Sequence, residues 1–280
     1  MQNGDHPVGD TQLRAGSLKF GAVLMQGITH IAPAVGLVLS IQYITSLSGI
    51  AAPFAYALAV AIMLALGISL SQLARHLPSA GGYYTYISRT VNPRAGFLTA
   101  WLYLLCDPTA TAINIAFMGI FFERAMLSEY GLRFPWSLFF CLMVGALTFV
   151  VYRGIAPSTK VMVVFGTTEI IIVLALAAWG IAHPGPGGIN LTSYNPTRAP
   201  SSGGLALGVI FSIFSVAGFD GVVPLAEESE DPRRNLPRAI LVSILFTGAF
   251  YLFCSWAMLI GWALTMYTGS ALPSKTPALC

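Results

Sequence analysis

Charge is what this chain has least of. Of its 280 residues only 9% are Asp, Glu, Lys or Arg, while 56% are hydrophobic. A soluble domain carries roughly 25% charged residues. A globule this poor in charge cannot cover its surface with polar groups, so its apolar surface must face lipid. An excess of either sign is missing too. The formal net charge is +3, and no basic patch with interleaved aromatics occurs, so nucleic acid is not an expected partner. The four cysteines, Cys106, Cys141, Cys254 and Cys280, include no CxxC pair. Neither a zinc site nor a disulfide framework is expected, and no cofactor is. Gly-x-Ser-x-Gly, His-Glu-x-x-His, P-loop and dinucleotide fingerprints are all missing, so the chain does not read as an enzyme. No cleavable leader is expected, because residues 1–19 are polar and the apolar run after them is too long for a leader core.

Long apolar runs are what the chain has in plenty. About 20 apolar residues in a helix cross a hydrocarbon core of about 30 Å. Runs of that kind stand near 20–45, 51–74, 96–122, 135–152, 159–182, 204–225 and 239–264. They are unbroken rather than alternating, which excludes spanning strands. The expected fold class is all-α integral membrane, with about seven spans. Lys and Arg then set the direction. With the N-terminus in the cytoplasm, Arg14, Lys19, Arg75, Arg89, Arg94, Arg153, Lys160, Arg233, Arg234 and Arg238 lie inside. Arg124, Arg133, Arg198 and Lys275 lie outside, a split of ten against four. The expectation is a multi-pass protein of the cell membrane, plasma or bacterial inner, with a cytoplasmic N-terminus. A seven-helix receptor or retinal protein runs the other way, and the seventh span here holds no lysine for a Schiff base.

Glycine (28) and proline (17) are frequent, and they concentrate in two spans. In the first, MQGITHIAPAVG places Gly27, Pro33 and Gly36 inside an apolar helix. Pro33 lacks an N–H and clashes with the preceding turn, costing about 3 kcal/mol in a helix interior. In the sixth, FSVAGFDGVVP places Gly218, Gly221 and Pro224 around Asp220. Both helices should unwind near their middles. Unwound backbone at membrane depth survives only where it is buried in protein or lines a wet cavity. Paired Gly/Pro-broken segments in matching positions of two halves point to the binding site of a secondary transporter. Here they open the first and sixth spans, a spacing of five helices.

Two further stretches carry a family resemblance. One is LPSAGGYYTYISRTVNPRAGFLTAWLYLL, Leu77 to Leu105, which is similar to a Pro-x-Ala-Gly-Gly-x-Tyr-x-Tyr loop followed by Gly-Phe and an aromatic-rich span. The other lies within Phe211 to Ile240 and reads FSVAGFDGVVPLAEESEDPRRNLPRAI, with Gly-Phe-Asp, Ala-Glu-Glu and Pro-Arg-Ala-Ile elements. With the broken first span, they make most of residues 18–264 resemble permeases of the amino acid–polyamine–organocation superfamily. That resemblance implies a LeuT-like fold of five-plus-five inverted repeats, with helices 1 and 6 broken. The implied division is a cytoplasmic tail (1–19), a first five-helix repeat (20–182), a Pro/Gly/Ser-rich external loop (183–203), the first two helices of the second repeat (204–264) and a C-terminal tail (265–280). On this reading the repeat is incomplete, as in a permease truncated after its seventh helix.

The resemblance also implies a function and a site. The expected activity is secondary active transport of amino acids or related amines by alternating access, with a proton or other cation as coupling partner and the lipid bilayer as surroundings. A second reading is a permease fragment with no transport of its own. Substrate would meet Thr29, His30, Ile31, Ala32, Pro33 and Ala34 in the first break, and Ser215, Ala217, Gly218, Phe219 and Asp220 in the sixth. A substrate carboxylate would meet N–H groups near Ala32 and Ala34, and an amino group the carbonyls of 215–218. Many members carry Gly-x-Gly where this chain has Ala32-Pro33-Ala34, so bulk there should restrict what fits. Ionisable residues inside spans are costly and usually functional. Asp107, about 16 Å into the third span at 1.5 Å per residue, and Glu169, about 13 Å into the fifth, are the expected proton carriers. Alternatively, Asp107 is a neutral acid beside backbone freed by Pro108, and Glu169 a structural hydrogen-bond acceptor. Glu227 and Glu228 are expected to pair with Arg233, Arg234 and Arg238 in a loop that shapes a gate.

Overall fold

The computed structural model describes residue 16 and residues 18–152, 155–185 and 187–263. Most of the expected 1–19 tail and all of the 265–280 tail lie outside the described residues, as do Arg14, Arg153, Lys275, Cys280 and the side chain of Lys160.

Among the described residues nine α-helices follow one another: α1 Phe20–Ile31, α2 Pro33–Ser48, α3 Ala52–His76, α4 Gly82–Thr90, α5 Pro93–Tyr130, α6 Trp136–Tyr152, α7 Ile155–Ala182, α8 Ser202–Val216 and α9 Pro232–Met258. Short 3-10 segments stand at Gly49–Ala51, Thr192–Tyr194, Pro196–Arg198 and Phe219–Glu227, and a π-turn at Leu259–Ala263 follows α9. Proline serves mainly as a starter. It opens α2, α3, α5 and α9 in the first two positions, where its missing N–H costs nothing and its fixed φ suits the helix. Pro108 lies inside a continuous α5, so the span is not broken there.

Among the described residues five helical stretches are long and apolar enough to cross a membrane: Phe20–His76, Pro93–Tyr130, Val161–Ala182, Ser202–Glu227 and Pro232–Gly261. At about 1.5 Å per residue, the 57 residues of the first exceed two hydrocarbon thicknesses. The left-handed φ of Gly49, 61°, divides it into the two expected spans. The expected span at 135–152 is shorter, with its apolar part at Trp136–Val150. Large apolar side chains such as Leu58, Ile62, Leu66, Ile171, Ile172, Leu207, Ile210 and Phe214 remain exposed along these helices, as lipid contact requires. The chain is an all-α, multi-pass membrane protein.

Two units form. The first runs to Ala80 and resumes at Phe165; the second is Gly81–Val164. In the second, α5 begins where the Asn92 side chain accepts the Ala95 N–H at 2.7 Å. It pairs with α6 through Phe122, whose ring stacks on Phe139 at 4.8 Å. The second half of the expected Pro-x-Ala-Gly-Gly-x-Tyr-x-Tyr loop, residues 78–86, belongs to the helix α4, which lies so close to α5 that a Cβ on Gly96 would stand 2.9 Å from Ser88 backbone.

In the first unit α3 packs along α9, both touch α2 and α8, and α9 also packs on α1. Tyr56, Ile240, Ile244 and Tyr251 are fully buried there. Lipid tails are as apolar as leucine, so helices in a membrane associate through close packing rather than through hydrophobic exclusion, and small residues permit it. A Cβ on Gly248 would fall 2.6 Å from Val60 Cγ1, and one on Gly67 would overlap Ile244. The 183–203 connection is docked rather than loose. Tyr194 Oη donates to the Leu252 carbonyl at 2.9 Å, and Trp256 Nε1 donates to the Asn190 carbonyl at 2.8 Å.

Overpacking a tight crossing costs typically 1–3 kcal/mol. Gly248→Val should therefore lower the thermal unfolding midpoint by several degrees in detergent. Gly145→Ala, at a position with open space around it, should leave the midpoint within a degree. Equal midpoints for both variants would contradict the close α3–α9 crossing.

Candidate functional site

Both expected breaks are present, and both are more local than the sequence suggests. In the first span the helix stops for one residue. Ala32 adopts φ 51° and ψ 65°, the only positive φ of a non-glycine residue among those described. A left-handed alanine costs roughly 1–2 kcal/mol. A buried backbone group left unbonded costs about 1–3 kcal/mol, and the turn prevents two such losses. The Ala32 N–H closes α1 on the Thr29 carbonyl at 3.0 Å, and the Gly36 N–H starts α2 on the Ala32 carbonyl at 2.8 Å.

In the sixth span α8 ends at Val216, Ala217 is extended at φ −62° and ψ 156°, and Gly218 turns at φ 115°. The chain then continues as the 3-10 segment Phe219–Glu227. Gly218 is required twice over. Its φ suits only glycine, and a Cβ there would stand 3.0 Å from the His30 carbonyl and 3.1 Å from Ile31 Cα. The two breaks therefore touch backbone to backbone. The exposed His30 lays its ring against Gly221, where any Cβ would overlap the imidazole.

A buried polar cluster lies beside this junction. Tyr251 Oη donates to the Ser215 carbonyl at 3.0 Å. The Tyr56 and Ser40 hydroxyls share a hydrogen bond at 2.7 Å, and Ser215 is a second partner of Tyr56. The Tyr56 and Tyr251 rings are 5.4 Å apart. From α7, Gly166 rests against Thr29, and one turn further on the Glu169 carboxylate accepts the Ala34 N–H.

The expected residues thus divide into three groups. Thr29 to Ala34, Ser215, Ala217 to Asp220 and Glu169 come together in the first unit. Phe219 is 2% exposed there, and Asp220 is half-buried in the first turn of the 3-10 segment. Asp107 is exposed on α5, in the second unit. The N–H groups of Ala32 and Ala34 differ from expectation. Neither lies open, since Thr29 and Glu169 already hold them. Tyr56, Tyr251 and Ser40 had not been singled out from the sequence; hydroxyls inside apolar spans were the available signal, because each must find a partner in lipid.

The ends of the two broken spans are tied together as well. The Leu18 N–H donates to the Glu228 carbonyl at 2.9 Å and the Glu230 N–H to the Leu18 carbonyl at 3.0 Å. This bridge joins the start of α1 to the end of the 3-10 segment. Glu227 accepts the Ala80 N–H at 3.4 Å. Among the described residues, Glu227 and Glu228 form no ion pair with Arg233, Arg234 or Arg238, so backbone bonds hold this loop rather than the expected salt bridges.

The amino acid permease family profile matches residues 22–273. The chain belongs to the amino acid permease family. It is 30% identical over 239 residues to the low-affinity putrescine importer PlaP of Escherichia coli, covering 84% of this chain and 51% of that protein. It is 29% identical over 215 residues to the L-methionine/branched-chain amino acid exporter YjeH of Escherichia coli, covering 72% and 46%. The Asc-type amino acid transporter 1 of Mus musculus is 28% identical over 207 residues, covering 68% and 37%. The permease-family chain spans about half the length of the curated relatives it matches.

A Cβ on Gly36 would overlap Tyr251 Oη. Gly36→Ala should cost about 1–3 kcal/mol, and Tyr251→Phe about 0.5–1.5 kcal/mol. Together they should cost less than the sum, because the phenylalanine removes the oxygen that the methyl meets. Thermal unfolding of the two single variants and the double variant measures this. Additive losses would mean that the hydroxyl does not fill the notch at Gly36.

Proposed function

We propose that this chain is the core of a secondary active transporter that moves amino acids or amines across the membrane by alternating access. The observation that carries the proposal is the contact between two interrupted spans, Ala32 in one and Gly218 in the other. A continuous helix would satisfy its own backbone at lower cost. Interruptions at membrane depth are kept where half-helix ends grip a solute or ion. The proposed contact residues are Thr29 to Ala34, Ser215 and Ala217 to Asp220, arranged within a first five-helix repeat and the first two helices of a second.

Coupling is proposed to run on protons, with Asp107 and Glu169 as carriers. The N-terminus is proposed to be cytoplasmic, from the ten-to-four division of Lys and Arg. The Leu18–Ser229 bridge then closes the cytoplasmic end, and its two backbone bonds are few enough to open in each cycle. The relatives support a solute of this class: a putrescine importer and a methionine/branched-chain exporter both match over most of the chain.

The test is uptake by the gene product reconstituted in liposomes, with an imposed inward proton gradient and a panel of labelled amino acids and aliphatic amines. Accumulation of at least one compound, lost when a protonophore is added, is expected. If no panel member accumulates under any gradient, the transport reading fails. Accumulation indifferent to the protonophore removes proton coupling alone.

A further inference from the structure

A hydroxyl inside an apolar helix can bond a carbonyl of the preceding turn. Ser71, Ser212 and Ser243 do so, at 2.7, 2.8 and 2.9 Å. Thr247 does not. It lies near the middle of α9 and is 0% exposed, and its Oγ1 has no partner among the described residues. A buried hydroxyl left unbonded costs about 1–3 kcal/mol. Groups of this kind are commonly served by an internal water.

The neighbours of Thr247 on α9 fix its level in the membrane. Residues four apart share a helix face, so Ser243, Thr247 and Tyr251 line one side of α9. A Cβ on Gly27 would stand 3.2 Å from Ser243 Cβ, and one on Gly36 would overlap Tyr251 Oη. Thr247 comes midway between the two and stands level with Ile31 and Ala32, where the first span is interrupted. The other packed side of α9, with Ile244 and Gly248, meets Gly67 and Val60 of α3.

The interruption removes a rung at that level. In a continuous helix the Val35 N–H would bond the Ile31 carbonyl. The left-handed Ala32 parts them. The Ala32 N–H turns back to Thr29 and the Gly36 N–H takes the Ala32 carbonyl, while the Val35 N–H has no acceptor among the described residues. No backbone N–H outside α1 bonds the Ile31 carbonyl among them either. One donor, one acceptor and one hydroxyl able to act as either therefore stand at one level. The N–H would repel a cation, and the carbonyl would repel an anion. Water suits all three, and about three bonds are usual for a buried water. A water inserted into the backbone ladder is also a recognised cause of a helix kink.

We propose that the break at Ala32 holds one buried water, bound by the Ile31 carbonyl, the Val35 N–H and Thr247 Oγ1, with Thr247 as the residue that positions it. The water stands in for the missing rung and ties α9 to the broken span. It belongs there whether or not the chain carries a solute.

Structures of the purified gene product that resolve ordered water test this, for the natural sequence, Thr247→Val and Thr247→Ser, together with thermal unfolding. A density peak about 2.7–3.2 Å from all three atoms is expected. It should persist in Thr247→Ser and vanish in Thr247→Val. The valine should also lower the unfolding midpoint by about 2–4 °C. The sign matters, because removing a dry, unpaired hydroxyl from a core is neutral or stabilising. An unchanged or higher midpoint in Thr247→Val therefore overturns the proposal. So does a natural structure without the peak, in which Oγ1 turns onto the Ser243 carbonyl. A peak ringed by oxygens alone, with a midpoint raised by sodium over choline at equal ionic strength, is a metal ion and overturns it as well. A peak that survives in Thr247→Val removes Thr247 from the site. If the valine variant does not fold, the peak in the natural sequence and in Thr247→Ser decides.

Discussion

Peptide groups inside a membrane have no water to turn to, and that constraint governs this molecule. A continuous helix meets it automatically. Two spans here give up that solution at Ala32 and at Ala217–Gly218, and the surrounding structure is arranged to satisfy what they release. The Ser215 carbonyl near the end of α8 is met by Tyr251, the Ala34 N–H by Glu169, and the Ala32 groups by their own neighbours in the chain. Tyr251 and Glu169 come from other helices, α9 and α7, while the Ala32 groups are met within the broken span itself. The breaks are therefore not local defects of two helices but a property of the broken spans and these neighbours together.

Close packing makes this possible. A tyrosine can reach a carbonyl on a neighbouring span only if the backbones approach nearly to contact. The glycines at 36, 67, 166, 218 and 248 each stand where a side chain would strike a neighbour. Glycine weakens a helix by roughly 0.8–1 kcal/mol against alanine. At these crossings that loss is smaller than the overpacking penalty of about 1–3 kcal/mol, so the small residue prevails. Alanine at 32 shows the opposite balance. Glycine would sit there without strain, and the chain keeps a methyl in a left-handed turn.

Much of this was legible in the sequence. Apolar run length located the spans, because lipid thickness is a rigid constraint and helix rise is fixed, but α5 runs on to Tyr130 rather than 122 and α9 begins at Pro232 rather than 239. Density of Gly and Pro located both breaks to within a turn. What stayed hidden was the extent of each break and its partners. MQGITHIAPAVG suggested a long unwound stretch, but one left-handed residue sufficed, since helix starts tolerate Pro33 at the first position. Tyr56 and Tyr251 sit in apolar runs where nothing local distinguishes a core tyrosine from one whose hydroxyl reaches another span. Their partners, Ser40 in one case and Ser215 in both, are 16 residues or more away. The charged loop after Leu225 misled for a related reason. Opposite charges close in sequence suggested salt bridges, but exposed pairs gain little over water, and the backbone bonds of Leu18 with Glu228 and Glu230 hold the loop instead.

Glu169 sets the remaining constraint. A carboxylate at mid-membrane is expensive, and a single N–H bond offsets only part of that cost. Such a group is tolerated if its charge is shared out among helix ends, or if a cation arrives to neutralise it. Here the first route is half available: the start of α2 offers a positive end, but α1 and α8 present negative ends nearby.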